Sequence, residues 1–442
     1  MRLFLVLGLA WVVSGIPAYA QDASSLQSED SVEPSPETRA EALRRKRQEK
    51  SKNPQPYVPN KVEKNLIRFD KAETPTIQEA NFHGFYPRAA WIARGSGIGF
   101  GTRYWKPDIG GTPLDLAGSA FYSIHGYQHY DVQFGLIPSQ GRQLPSRAWR
   151  GEELYQLANP RSPGRPPFSI YGTFRYRYLP QTLYFGEGPD SELGDGSNYL
   201  IRSTAFYVRN GYQFGNHFSV TLNAGYWKYS LGEGTKSSVP TTQEVYNDFS
   251  APGLSNPPNY LRYGVNALLD FRDEPGNPHK GLVVAGVLTR WDDQTEGSFN
   301  FNSFMLDARA FIPLGTRQRV LALRSAVVLE DPDAGNRIPF FVQPSLGGSH
   351  TLRGFDSFRF QGPKAMLYQL EYRWEANQIW ELALFTDTGT VSAPGEDLDF
   401  SKLKWDYGFG LRFKNFQSVL VRMDLAWSDE TWRFLFRSSA SF

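Results

Sequence analysis

The sequence predicts an all-β chain folded as a transmembrane antiparallel β-barrel. Three observations predict it: a series of alternating oily and polar segments, a secretory leader ahead of them, and an aromatic ending. At that ending Trp432, Phe434, Phe436, Ala440 and Phe442 share one side of a period-two alternation, and Arg433, Arg437, Ser439 and Ser441 share the other. Side chains alternate faces along a strand, so a closed sheet in a bilayer needs an apolar row for lipid and a polar row for a wet interior.

Residues 1–20 read as a signal peptide: Arg2, an apolar stretch from Leu3 to about Val13, then the small-x-small site Ala18-Tyr19-Ala20. Cleavage there starts the mature chain at Gln21, outside the cytoplasm. The 442 residues contain no cysteine, which excludes a lipid-modified cysteine at the cut, disulfides and thiolate metal sites. Residues 21–80 are rich in Ser, Glu and Pro and read as a short, mostly unstructured periplasmic tail, with at most one helix around 37–50. Its basic run, Arg39 to Lys52, is read as a solvated linker in preference to an arm touching anionic lipid or a partner, because charge runs are usually solvated.

Residues 81–442 are assigned to the barrel. No apolar run there approaches the ~18–20 residues of a membrane helix, whereas a barrel strand needs only about ten residues, half of them apolar. In 260–272, Leu261, Tyr263, Val265, Ala267, Leu269 and Phe271 oppose Arg262, Asn266, Asp270 and Arg272. The same division separates Met366, Tyr368, Leu370, Tyr372 and Trp374 from Gln369, Glu371 and Arg373. It recurs in 405–413, against Asp406 and Arg412, and in 419–427, against Arg422 and Asp424. A soluble sandwich would alternate too, with its apolar face as the core; aromatics at the strand ends, the many charges, the leader, the terminal Phe442 and the number of segments together favour the barrel. Aromatics make up 15% of residues, a content suited to the two interfacial girdles of a barrel, and the net charge of +2 gives no case for nucleic-acid binding. The segments number fourteen to sixteen, joined alternately by short connections such as 313–318 and long ones such as 179–199, 230–258, 331–364 and 388–404.

Within 331–364 stands Leu352-Arg353-Gly354-Phe355, which resembles the Arg-Gly-Phe/Tyr signature of the BamA/TamA-like outer-membrane family of bacterial surface antigens. Asp270-Phe-Arg272-Asp273-Glu-Pro-Gly-Asn-Pro278-His-Lys-Gly281 is similar to that family's Asp-x-Arg-Asp-x-Pro…Pro-x-x-Gly turn. Phe385-Thr-Asp387-Thr-Gly389 resembles its Phe-x-Asp-x-Gly strand, and Phe185-Gly-Glu-Gly-Pro-Asp-Ser191 its early Phe/Tyr-Gly-x-Gly segment. The resemblance covers roughly residues 86–442 and implies sixteen strands, with Arg353 on a sixth loop between strands eleven and twelve that folds back into the lumen. It also implies that Arg353 pairs with Asp387. Inward-facing Glu371 is a second candidate acceptor for a guanidinium that binds carboxylates bidentately. Only about sixty polar residues precede the barrel, so the chain is expected to be a member without POTRA domains. In relatives a weakly closed seam between first and last strands perturbs the bilayer, and Gly95, Gly97, Gly99 and Gly101 are expected to weaken that edge here. The terminal aromatics Phe434, Phe436 and Phe442 are, by resemblance, the signal read by the outer-membrane barrel assembly machinery.

The implied function is assistance to the insertion or passage of proteins or lipids at the bacterial outer membrane. Expected partners are outer-membrane lipids and a protein or lipid client. The runner-up is a passive pore plugged by the same loop, and a barrel hydrolase stands third. No enzymatic activity, cofactor or metal is expected: Asp387-Thr-Gly occurs once, without the second carboxylate of an aspartic protease, and Ser349-His350 lacks a nucleophile elbow. His125 and His129 would share a face only if one strand ran through both, and a turn near Gly126 is the better reading.

Overall fold

The computed structural model describes residues 44, 45, 48, 83–137, 167–274, 276–414 and 419–437. The chain divides into a unit Met1–Asn60 and a unit Lys61–Phe442. In the first, residues 44, 45 and 48 are helical, inside the span expected for a helix. The leader and nearly all of the tail lie outside the described residues.

The second unit is built from strands β1 (Gly84–Ala90), β2 (Gly99–Lys106), β3 (Asp115–Ser123), β4 (Gln128–Leu136), β5 (Phe168–Tyr184) and β6 (Ser197–Phe214). They continue as β7 (Phe218–Glu233), β8 (Tyr260–Asp270), β9 (Gly281–Asp293), β10 (Phe301–Leu314), β11 (Thr316–Pro332), β12 (Ser345–Leu346) and β13 (Phe360–Gln361). The last five are β14 (Lys364–Glu375), β15 (Trp380–Val391), β16 (Lys404–Lys414), β17 (Val419–Trp427) and β18 (Trp432–Arg437). Sixteen of them form one antiparallel sheet in sequence order, β1 to β11 and then β14 to β18. The short strands β12 and β13 pair with each other inside the β11–β14 connection. Five sheet strands therefore follow Arg353, as the resemblance implies.

The faces divide as the alternation predicts. On β8, Leu261, Tyr263 and Leu269 are exposed while Arg262, Asn266 and Asp270 are buried. Arg373, Arg412, Arg422 and Asp424 are each at most 1% exposed, whereas Tyr407, Phe409, Trp432 and Phe434 are at least half exposed. A sheet with its charges inside and its aromatics outside suits lipid and would be unstable in water. Among the described residues no helix is long and apolar enough to cross a membrane. Strands β5, β6 and β11 run 17, 18 and 17 residues, beyond the ~9–11 that span a bilayer, so they continue past it.

The connections differ by end. At one end lie 215–217, 376–379 and the single residue Gly315, whose φ of 73° makes so tight a reversal possible. At the other lie the long connections 185–196, 234–259, 333–363 and 392–403. The 137–167 connection breaks this pattern, being long on the short-connection end, and most of it lies outside the described residues.

Two expectations are corrected. Gly95 and Gly97 do not sit in the first strand: they occupy the 91–98 connection with φ of 82° and 65°, and Gly99 and Gly101 belong to β2. Nor do the aromatics all face outward. Tyr207, Trp227, Trp291 and Phe301 are buried on the inner face, where Tyr207 stacks on Trp227 and Trp291 on Phe301. Arg262 lies between the two tryptophans, 4.2 Å from one ring centre and 3.8 Å from the other. Part of the aromatic excess therefore forms a cation–π stack across β6 to β10.

Candidate functional site

The 333–363 connection is the sixth on its end, and it packs on the buried face of the sheet. Leu346, Leu352, Phe355 and Phe360 share one apolar cluster with wall residues Val283, Val287, Met305, Val328 and Leu367. Its centre is a knot. Gly348 N donates to both Leu352 O and Phe355 O at 3.0 Å, and Gly347 N donates to Thr351 Oγ1 at 2.9 Å. Gly347 and Gly348 have φ of 110° and 91°, where a side chain is strained, so the glycine pair makes the knot possible. The knot projects Arg353.

Arg353 is fully buried and forks onto Asp387, with Nε to Oδ2 and Nη2 to Oδ1 both at 2.7 Å. Its Nη1 donates to Glu371 Oε2 at 2.9 Å. Period-two spacing explains the strand that receives it, because Phe385, Asp387 and Gly389 share one face of β15. The Phe385 ring lies 3.4 Å beneath the guanidinium and Asp387 accepts from it. Gly389 leaves room where a Cβ would come 3.0 Å from Leu346 Cδ1. Gly354 N donates to Asp406 Oδ2 at 3.0 Å, and a Cβ on Gly354 would lie 2.7 Å from Asp406 Cβ, so this position accepts only glycine without a shift. Phe355 stacks edge-on against Phe360 at 5.1 Å.

The pair belongs to a larger network. Glu371 also accepts from Arg373 Nε at 2.7 Å and from Arg412, and Arg412 Nη1 reaches Glu381 at 2.7 Å. Three consecutive loop carbonyls are held from three strands: Ser349 O by Arg422 at 2.8 Å, His350 O by Arg324 at 2.9 Å and Thr351 O by Gln369 at 2.8 Å. Charges removed from water are stable only when paired and hydrogen-bonded in this way.

Nearer the outer end of the loop, Arg359 Nε donates to Glu430 at 2.8 Å, while its Nη1 and Nη2 reach Ser191 Oγ and O at 2.9 and 2.8 Å. The Phe185-Gly-Glu-Gly segment takes part as well: Glu187 and Gly188 bridge to Gln361, and Glu187 accepts from Gln343. Burial pushes the Glu187 carboxyl up to about 7.

Sequence reasoning named Arg353, Gly354, Phe355, Glu371, Asp387 and Gly389, and the structure brings all six together. It missed Arg359 and Glu430, which belong to non-periodic loops; Asp406 was placed on the polar face and Ser191 in the early segment, but neither was assigned a contact with the loop. The turn residues form a separate group at the opposite end. Arg272 forks onto Asp270 at 2.8–2.9 Å, and Asp273 accepts from the backbone of Glu274, His279 and Lys280. Pro278 is buried, and Gly281 has a φ of 122°. The hydrogen bond from His279 Nε2 to Glu375, 2.7 Å long, raises the imidazole pKa. Phe434 and Phe436 lie on the exposed face, and Phe442 lies outside the described residues.

The other constellations resolve otherwise. His125 lies in the turn and meets Gly95 O at 2.9 Å, while His129 on β4 meets Asp131 at 2.9 Å. Ser349 Oγ accepts from Arg437 at 2.9 Å.

Compared with known proteins, the Omp85 superfamily domain matches residues 93–442. Among solved structures, BamA from Haemophilus ducreyi lacking POTRA domains 1–3 superposes with a TM-score of 0.56 at 13% identity, covering 80% of this chain and 69% of that one. CdiB from Escherichia coli follows with a TM-score of 0.47 at 12% identity, covering 80% of this chain and 61% of its own. At 13% identity the likeness to the BamA structure concerns the fold alone. No curated protein sequence matches the chain. The domain match and the sixteen-stranded antiparallel sheet agree: the chain belongs to the Omp85 superfamily and is an outer-membrane β-barrel.

Proposed function

We propose that this barrel assists the insertion or passage of proteins or lipids at the outer membrane, with its sixth loop folded into the lumen and locked to the wall through Arg353. The observation that carries the reading is the buried fork of Arg353 on Asp387, reinforced by Glu371, which links the loop to β15 and β14. Charge-assisted bidentate pairs define one geometry, so a loop held this way has two discrete arrangements, docked and released. The client, protein or lipid, acts on that equilibrium. A non-enzymatic role is part of the proposal, supported by the engagement of both Asp387 oxygens with Arg353. Partners are outer-membrane lipids and the client, and assembly depends on the outer-membrane barrel machinery. Depletion of the protein followed by a survey of outer-membrane proteins and lipids tests the proposal. Loss of a defined set is expected, and no change in any sinks it.

A second reading, a passive pore with the loop as its constriction, draws on the buried arginines of the inner face, Arg175, Arg209 and Arg262. Single-channel recording separates the two. A large, steady, ion-selective conductance favours the pore, and small erratic openings favour the insertase-like barrel.

A further inference from the structure

Among the described residues no backbone pairing joins β1 to β18, the two ends of the sheet. Described side chains do meet there: the rings of Trp91 and Phe436 lie 6.3 Å apart, and the Arg437 guanidinium lies 5.8 Å over Trp91. Two aromatics at that separation contribute about 0.5–1.5 kcal/mol.

The sixth loop touches both sides of this junction. From the first side Arg94, in the 91–98 connection, donates to Ser345 Oγ at 2.7 Å and to Gly347 O at 3.2 Å, and it covers the Phe358 ring at 3.9 Å. From the other side two arginines of β18 grip the same stretch: Arg437 Nε donates to Ser349 Oγ at 2.9 Å, and Arg433 pairs with Asp356. Arg433 and Arg437 lie four apart on one strand and so share its inward face. Three arginines from the two ends of the sheet thus converge on residues 345–358.

We infer that residues 345–358 act as a bolt across the junction of the first and last strands, held by Arg94 on one side and by Arg433 and Arg437 on the other, so that releasing the loop frees the junction. The inference rests on the loop-lock reading above and adds its consequence: the Arg353 fork fixes the bolt, and the three junction arginines transmit its position to the strand ends. Arginine suits this work because its fork can hold two loop acceptors from one rigid group. Coupling requires a two-state element that both sites bias, and the loop is that element.

The test uses the full chain in outer-membrane fractions. With no native cysteine, W91C/F436C places the only two thiols at the junction. A short bifunctional thiol reagent then reads how long the two sides stay together. With the bolt in place, cross-linking is fast. R94Q/R437Q removes three charge-assisted hydrogen bonds to the loop, and the initial rate falls by at least about tenfold, the effect of one such bond. An unchanged rate in that variant overturns the inference. If R94Q/R437Q fails to assemble, judged by heat-modifiable migration, R94Q alone is read against R94K, with a slower rate for Gln and partial recovery for Lys; equal rates overturn it. Labelling of a buried loop thiol in the R353A variant, described below, is the separate control. A failed lock leaves that labelling unmoved, whereas a failed bolt leaves only the cross-linking unmoved.

Discussion

Replacing Arg353 with alanine removes the centre of the buried network, and the structure sets the size of the effect. Glu371 keeps Arg373 and Arg412 as partners, so its charge stays compensated. Asp387 loses both of its 2.7 Å bonds and sits opposite Asp406 in the β15–β16 register. Leaving one member of a buried pair uncompensated costs about 3–5 kcal/mol. The carboxylates belong to the wall and not to the loop, so release of the loop lets water reach Asp387, and the cost acts selectively on the docked state. At about 1.4 kcal/mol per tenfold, the released fraction should rise by roughly 100-fold or more. The apolar anchors Leu346, Leu352, Phe355 and Phe360 still oppose release, so the barrel stays assembled. The assay is the labelling rate of T351C, whose position is fully buried in the docked loop, by a small maleimide in outer-membrane fractions. The R353A background should label about 100-fold faster, R353K should fall between, and protease should cut the loop more readily. Equal labelling rates with Arg353 intact and in the R353A background would refute the reasoning.

Further outcomes follow from single contacts. Gly354→Ala pushes a Cβ to 2.7 Å from Asp406 Cβ and should destabilise the docked loop by about 1–3 kcal/mol, read by the same labelling. Glu187 has a raised pKa in the folded protein, so its contribution is complete below the ordinary carboxyl range near 4.5 and is lost as pH rises toward 7. The contact between 185–196 and the sixth loop should therefore loosen over that window by protease accessibility, and Glu187→Gln should remove the dependence. His279 has a pKa raised chiefly by its bond to Glu375, so its contribution is full below about 6.5 and is lost as pH rises through the higher folded value. Cleavage in 271–280 should increase across that range, and His279→Gln should flatten the profile.

The strands were legible because period two is a local property. The division of Arg262, Asn266 and Asp270 from Leu261, Tyr263 and Leu269 needs nothing beyond the order of residues. Glu371 was legible for the same reason, as an inward position next to the loop. The partnership of Arg353 with Asp387 was not legible from spacing: 34 positions separate them, and family resemblance supplied it. What escaped is what no period encodes. Arg359 reaches Ser191 across 168 positions and Arg94 reaches Ser345 across 251, and loop side chains carry no alternation that would mark them. The inward aromatics escaped because the sequence relates only total aromatic content to the girdles, and it takes the strand register to set Arg262 opposite Trp291.

The most direct test of the account is complementation of a depleted strain with wild-type protein and with R353A, followed by quantitation of outer-membrane proteins and lipids. The account predicts that R353A reaches the membrane as an assembled barrel and yet fails to restore the components lost on depletion. Full restoration by R353A would contradict it.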